Sequence, residues 1–274
     1  MNRTNASSLS AKVSLIAIVA VLYAVGKGVV AFIPSPWGVG SLYIGVFIPA
    51  YFAIVSDYYA VAIGAALGTF IGDSLFLTAL NTTNPALSLV SGVPANFVAF
   101  FLFGWFIRRY TSWPAFVAAT VSFVTLGNAM AAVLVAYPGA HVYAPVAALE
   151  LKFSAATVTF GLTAFFNSTS IPAVIIGVPL LLRATRPLVG RSMILTRFPD
   201  WAAVRNARER AIALVFGVSF ALIGAVFFLL SYSLSNYAWP NATTYFVGLA
   251  IATIVLVPIV GTIVAPKQAV RPAV

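Results

Sequence analysis

Eight runs of apolar residues, separated by short segments that hold nearly all the charge, leave this chain few ways to fold. The runs cover residues 12–33, 41–56, 58–80, 95–107, 114–137, a long stretch ending near Leu182, then 211–231 and 244–265. A hydrocarbon core of about 30 Å takes about 20 such residues per helix. In lipid the backbone has no water to bond to, and an isolated run of this length satisfies its own N–H and C=O groups only as a helix. The expectation is an all-α polytopic membrane protein. The second and fourth runs are short, so those spans should be kinked, tilted or shielded by neighbours.

Charge orders the runs. Placing the N-terminus inside puts Arg3 and Lys12, then Arg108 and Arg109, then seven Arg between Arg183 and Arg210, then Lys267 and Arg271 on the same side. Of the fifteen basic residues only Lys27, within the first span, and Lys152, near the outer face, are left over. Basic residues in short loops stay cytoplasmic, so the chain is expected in the cell membrane with both termini inside. Val13 to Gly26 behind Lys12 has the look of a signal peptide, but no small-residue cleavage site precedes Lys27 and a retained first span is the better reading. Residues 144–166 and 168–182 could be two crossings. That arrangement would put the seven-Arg loop outside, so an outer segment from Pro138 to about Ala155 followed by one long crossing, bent at Pro172 and Pro179, is expected instead.

Composition excludes several functions. Charged residues are 7% of the chain, against about 25% in a soluble domain. The net charge of +10 lies in loops beside spans, where insertion and anionic lipid head groups account for it, so no nucleic acid is expected. No Cys is present, which removes disulfides, thiol catalysis and thiolate metal sites. Gly26-Lys27-Gly28 lacks the preceding glycine and following Ser or Thr of a Walker A loop, so the chain should not hydrolyse ATP by itself. Two facing carboxylates, a His pair and a Ser-His-Asp set are also missing. The chain is not expected to be an enzyme, and no cofactor is implied. His141, the single histidine, is a weak signal, since a lone loop histidine is usually structural or solvated rather than a ligand.

Three regions follow from this order: a six-span unit over residues 1–182, an Arg-rich cytoplasmic linker over 183–210, and a two-span segment over 211–274. In the linker Asp200 can cap a helix at Trp201, and its simplest reading is a surface lying on lipid. Gly64, Gly68 and Gly72 form a smooth ridge at four-residue spacing, and Ala20 and Ala24 form a second small pair in the first span. Either serves internal packing or contact with another subunit.

Polar groups in the outer half are the candidate site, because a polar side chain in lipid normally faces a cavity or a partner. They are Asn96, Asn128 and Asn167 on three consecutive crossings, Glu150 and Lys152 in the fifth loop, and Asp73 at the end of the Gly-rich helix. Asp73 either pairs with Lys27 or serves the site. Glu150 and Lys152 diverge on a helix and share a side on an extended loop. The first outer loop, Pro34 to Gly40, joins stiff prolines to glycines around Trp37, which either anchors at the interface or closes over a ligand.

The stretches AVLYAV (20–25), GVFIPAYFA (45–53), AVAIGAALGTFIGDSL (60–75), GVPANF (92–97) and IIGVPLLL (175–182) occur in an order that resembles the substrate-binding S component of energy-coupling factor transporters. The resemblance covers the first six spans, about two thirds of the chain. It implies a six-helix S-component-like bundle that captures a vitamin-like or other small nutrient outside and topples against a T subunit, driven by two cytoplasmic ATPase subunits. By matching position it places Trp37 in the lid, Asn96, Asn128, Glu150, Lys152 and Asn167 around the ligand, and Ala20 and Ala24 on the docking face. The two additional transmembrane helices after Arg210 depart from the family pattern. The Met-His start of cobalt and nickel members is absent, since Asn2 follows Met1, so no metal is expected. The competing readings are a self-sufficient transporter coupling protons through Asp73 or Glu150, for which no inverted repeat is evident, and a membrane scaffold recruiting a partner through its Arg-rich linker.

Overall fold

The computed structural model describes residues 9–33, 35, 38–110, 112–151, 155–188, 192 and 194–199, and among these it holds helices and turns but no β-strand. Five helices are long and apolar enough to cross a membrane, and Ile44–Val55 is a shorter apolar one. The chain is therefore a multi-pass α-helical membrane protein in its described part. The runs at 211–231 and 244–265 and most of the Arg-rich linker lie outside the described residues.

Local chemistry sets the helix limits. The first helix, α1 (Leu9–Gly28), gives way to turns that run to Ile33. A 3-10 turn at Ile44–Val46 leads into the short α2 (Phe47–Val55). The Asp57 carboxylate then accepts from the Tyr59 and Ala60 N–H groups at 3.0 and 3.1 Å, capping α3 (Tyr58–Leu77). Asn84 caps α4 (Pro85–Arg109) by accepting from Leu87 N at 2.6 Å, with Pro85 at the position where a missing N–H costs nothing.

This fourth helix corrects the sequence reading, which began it at residue 95. Ser88 and Ser91 lower the hydropathy of the first turns, yet both hydroxyls are bonded inside: Ser91 donates to Leu87 O and Ser88 to Asp73 Oδ2, each at 2.7 Å. The fourth span is thus long, with a π-wound turn at Ser88–Gly92. The fifth helix, α5, covers residues 113–136 and has a similar turn at Thr120–Val124. After a 3-10 turn at Pro138–His141 comes the short α6 (Ala144–Glu150), then α7 (Ala155–Thr185), a single helix of 31 residues that contains Pro172 and Pro179. At 1.5 Å per residue α7 spans about 45 Å, more than the hydrocarbon core, so it tilts or projects beyond it.

The glycine ridge is used within the chain. A Cβ on Gly68 would lie 2.7 Å from Ala20 O, and one on Gly64 2.9 Å from Ile16 O, so α1 and α3 touch backbone to backbone. Ala20 and Ala24 are 4% and 3% exposed in this seam. The side of α1 that faces away carries Val13, Val21, Leu22 and Val25, and a second subunit meeting the first span would meet these residues.

The two ends of the bundle differ. At one end Lys12 pairs with Asp57 at 3.6 Å, Arg108 donates to Ser56 O, and the Arg109 guanidinium stacks 4.6 Å from the Trp105 ring. Thr196 and Arg197 return there, both N–H groups donating to Val55 O at 3.0 and 3.1 Å, and Leu195 is buried. At the other end three loops are tied by neutral contacts. Gly40 N donates to Thr82 O at 2.7 Å, Asn84 Nδ2 to Val142 O at 2.9 Å, and the Tyr143 hydroxyl to Asn81 O at 2.6 Å. Burial pushes the Tyr143 phenol up from its ordinary value.

Candidate functional site

A polar layer crosses the bundle where two apolar clusters meet, one of them toward the basic end and the other toward the neutral end. Tyr43, at the close of the first outer loop, packs against both clusters, with its ring 5.1 Å from that of Phe166. Its backbone N–H donates to Thr169 Oγ1 of α7 at 3.3 Å. That contact fixes where its hydroxyl falls.

On one side of Tyr43 lies an ion pair. Lys27 of α1 and Asp73 of α3 are joined through Nζ and Oδ1, with side chains only 4% and 8% exposed. Ser88 supports the other carboxylate oxygen. The Lys27 ammonium also donates to the Tyr43 hydroxyl at 3.3 Å and lies 4.9 Å from the centre of its ring. Of the two alternatives for Asp73, pairing with Lys27 is what the fold adopts. The pair closes the outer end of the α1–α3 seam, where Gly72 lets the Lys27 stem pass within 3.2 Å of where its Cβ would be.

On the other side are the amides. Asn96 of α4 donates to Gly92 O at 2.8 Å and to the Tyr43 hydroxyl at 3.4 Å, and accepts from the Tyr23 hydroxyl at 2.8 Å. Asn128 of α5 donates to Asn167 Oδ1 and to Ser170 Oγ, both on α7 and both at 2.8 Å. All three asparagines are 6% exposed. A cavity separates Asn96 from Asn128, walled by Tyr43, Val46, Ala95, Ala99 and Phe100 among others. Its volume is roughly 280 Å³ with its open mouth included, and it has room for about one water. Among its walls α4 and α5 approach closely: a Cβ on Gly127 would lie 2.6 Å from Ala99 Cβ.

The sequence candidates divide accordingly. Asn128 and Asn167 touch each other, and Asn96 faces Asn128 across the cavity. Trp37 and Lys152 lie outside the described residues. The backbone of Glu150 ends α6, and its side chain lies outside the description. The part of the first loop that is described folds tightly over Ser35, whose Oγ donates to Val39 O at 2.6 Å. Gly40, at φ +74°, approaches Phe166 so closely that a Cβ would be 3.2 Å from its ring. His141 is exposed at the end of a 3-10 turn, and among the described residues no three His or carboxylate groups gather as metal ligands.

Tyr23, Tyr43, Ser88 and Ser170 escaped the sequence reading. Ser170 carried a signal, since it follows Asn167 by one helical turn and shares its face. Tyr43 carried none, because an amphipathic ring at a span end reads as an interfacial anchor, and Tyr23, in the middle of α1, reads as core.

No family model, curated protein or solved structure matches the chain. The fold and site define a class: a multi-pass helical membrane protein with a small cavity between two buried asparagines at mid-bundle and, among the described residues, Lys12, Arg108, Arg109 and Arg197 at one end.

Proposed function

We propose that the chain is the membrane-embedded substrate-binding subunit of an ATP-driven importer of the energy-coupling factor type, taking up a vitamin-like or other small nutrient. The observation that carries this reading is the cavity between Asn96 and Asn128. Polar groups at that depth are costly in lipid unless they serve a partner or a ligand. The cavity lies near mid-bundle, between the middles of α4 and α5, and the basic end of the bundle is the cytoplasmic one by the positive-inside rule. The absence of a Walker A pattern assigns energy coupling to other subunits, a T subunit and cytoplasmic ATPases. Asp73, the described carboxylate on which proton coupling would depend, is engaged with Lys27 and Ser88.

Purification in mild detergent and mass spectrometry should identify a small molecule bound to the chain. Uptake of that compound into proteoliposomes should require the T and ATPase subunits. Robust uptake by this chain alone would replace the proposal with a secondary transporter.

A further inference from the structure

The basic end of the bundle gathers more cations than the chain can neutralise, and we propose that those around the end of α7 bind the phosphate of an anionic phospholipid in the inner leaflet. Three elements converge there on the last turns of α2. The Tyr51 hydroxyl of α2 donates to Thr185 Oγ1 at the end of α7, at 2.7 Å. The returning segment is tied to the same place, with the Thr196 and Arg197 N–H groups on Val55 O and Ser56 Oγ donating to Ile194 O at 2.7 Å. That docking brings Phe198 against α7, where the Arg186 guanidinium lies 5.7 Å from the centre of its ring. Arg108, at the end of α4, is within Coulombic reach of Arg197.

The chain holds only five carboxylates. Asp73 is engaged with Lys27, Asp57 pairs with Lys12, and Glu150 ends α6 among the loops of the opposite end. Asp200 and Glu209 alone remain to answer Arg108, Arg109 and the seven Arg between Arg183 and Arg210. Arg183 and Arg186 are exposed, and neither side chain has a hydrogen-bond or ion-pair partner among the described residues. Guanidinium groups gathered in this way repel one another until an anion joins them. Packing on Phe198 occupies one face of Arg186 and leaves its N–H edge free, and such an edge takes two phosphate oxygens at once. Apolar surface beside the charges selects a lipid over a free anion. Leu180, one turn before Arg183, is 45% exposed, and Leu188, just beyond Arg186, is 54% exposed. A phospholipid sets its phosphate among the arginines and its acyl chains along these leucines, whereas inorganic phosphate gains only the first contact.

Native mass spectrometry of the full chain in mild detergent, titrated with phosphatidylglycerol or phosphatidylcholine of matched acyl chains, reads the site directly. Phosphatidylglycerol should bind at least about tenfold more tightly than phosphatidylcholine. Arg186→Gln should weaken it roughly tenfold, and Arg186→Lys, which keeps the charge but loses the planar fork, should stay weakened by about threefold or more. Arg109→Gln removes the same charge from α4 and should change the affinity by less than about threefold. Arg186 and Arg109 are both exposed, so helix content by circular dichroism should be unchanged in all three variants. Equal losses for Arg186→Gln and Arg109→Gln would mean diffuse attraction to charge and no site. Equal affinity for the two lipids would overturn the proposal, as would displacement of phosphatidylglycerol by inorganic phosphate at equal concentration, which would leave a small-anion site instead.

Discussion

At the scale of single residues the buried charges dominate. Lys27 and Asp73 neutralise each other at a depth where neither would be tolerated alone. Asp73→Ala should cost about 3 to 5 kcal/mol, because it leaves an ammonium buried with only a phenol beside it. Lys27→Met combined with Asp73→Leu removes both charges and should recover most of the loss. Thermal unfolding in detergent compares the three variants, and an Asp73→Ala melt at the wild-type temperature would mean the pair contributes no net stability. The candidate amides were legible from their positions on consecutive spans, since the cost of burying them is readable without coordinates. Which partners they take was not, because that depends on Tyr23, Tyr43 and Ser170 arriving from other elements.

Helices make their own demands at the next scale. The α1–α3 seam is built on the absence of side chains, and Gly68 has no room for even one carbon, since its neighbour there is the backbone oxygen of Ala20. Gly68→Leu should therefore cost at least the 1 to 3 kcal/mol typical of overpacking, whereas Val21→Ala on the outward side of α1 should cost little. A lowered melting temperature for the first and an unchanged one for the second checks this, and equal values would place the seam elsewhere. Ala20 and Ala24 belong to the same seam, so large residues there should disturb α1 against α3 before they disturb any partner. Four-residue spacing announced the ridge in the sequence but did not choose its occupant. The start of α4 was hidden for a related reason: serines lower hydropathy whether or not their hydroxyls are bonded within the bundle.

Across the whole molecule the charge sorting becomes geometry. Lys12, Arg108, Arg109 and Arg197 come from distant parts of the chain and are drawn to one end, while the loops around Gly40, Thr82 and Tyr143 meet at the other. Because the chain has no Cys, single cysteines report orientation against a blank background. Ala86→Cys should react with an impermeant thiol reagent on intact cells, and Tyr110→Cys and Ser192→Cys should not. Thr83 would be a poor probe, being 7% exposed. Labelling at Tyr110 from outside would invert the bundle.

The sequence by itself determined that the chain crosses lipid as helices, which polar residues lie deep, and how its basic residues are distributed between loops. These follow from transfer free energies that act residue by residue and need no knowledge of neighbours. Only the tertiary structure decided that Asp73 closes on Lys27, that the glycine ridge is filled from within, and that a cavity opens between Asn96 and Asn128 under Tyr43. Those outcomes depend on close approach and hydrogen-bond direction between segments far apart in the chain, and such contacts leave no period or composition to read.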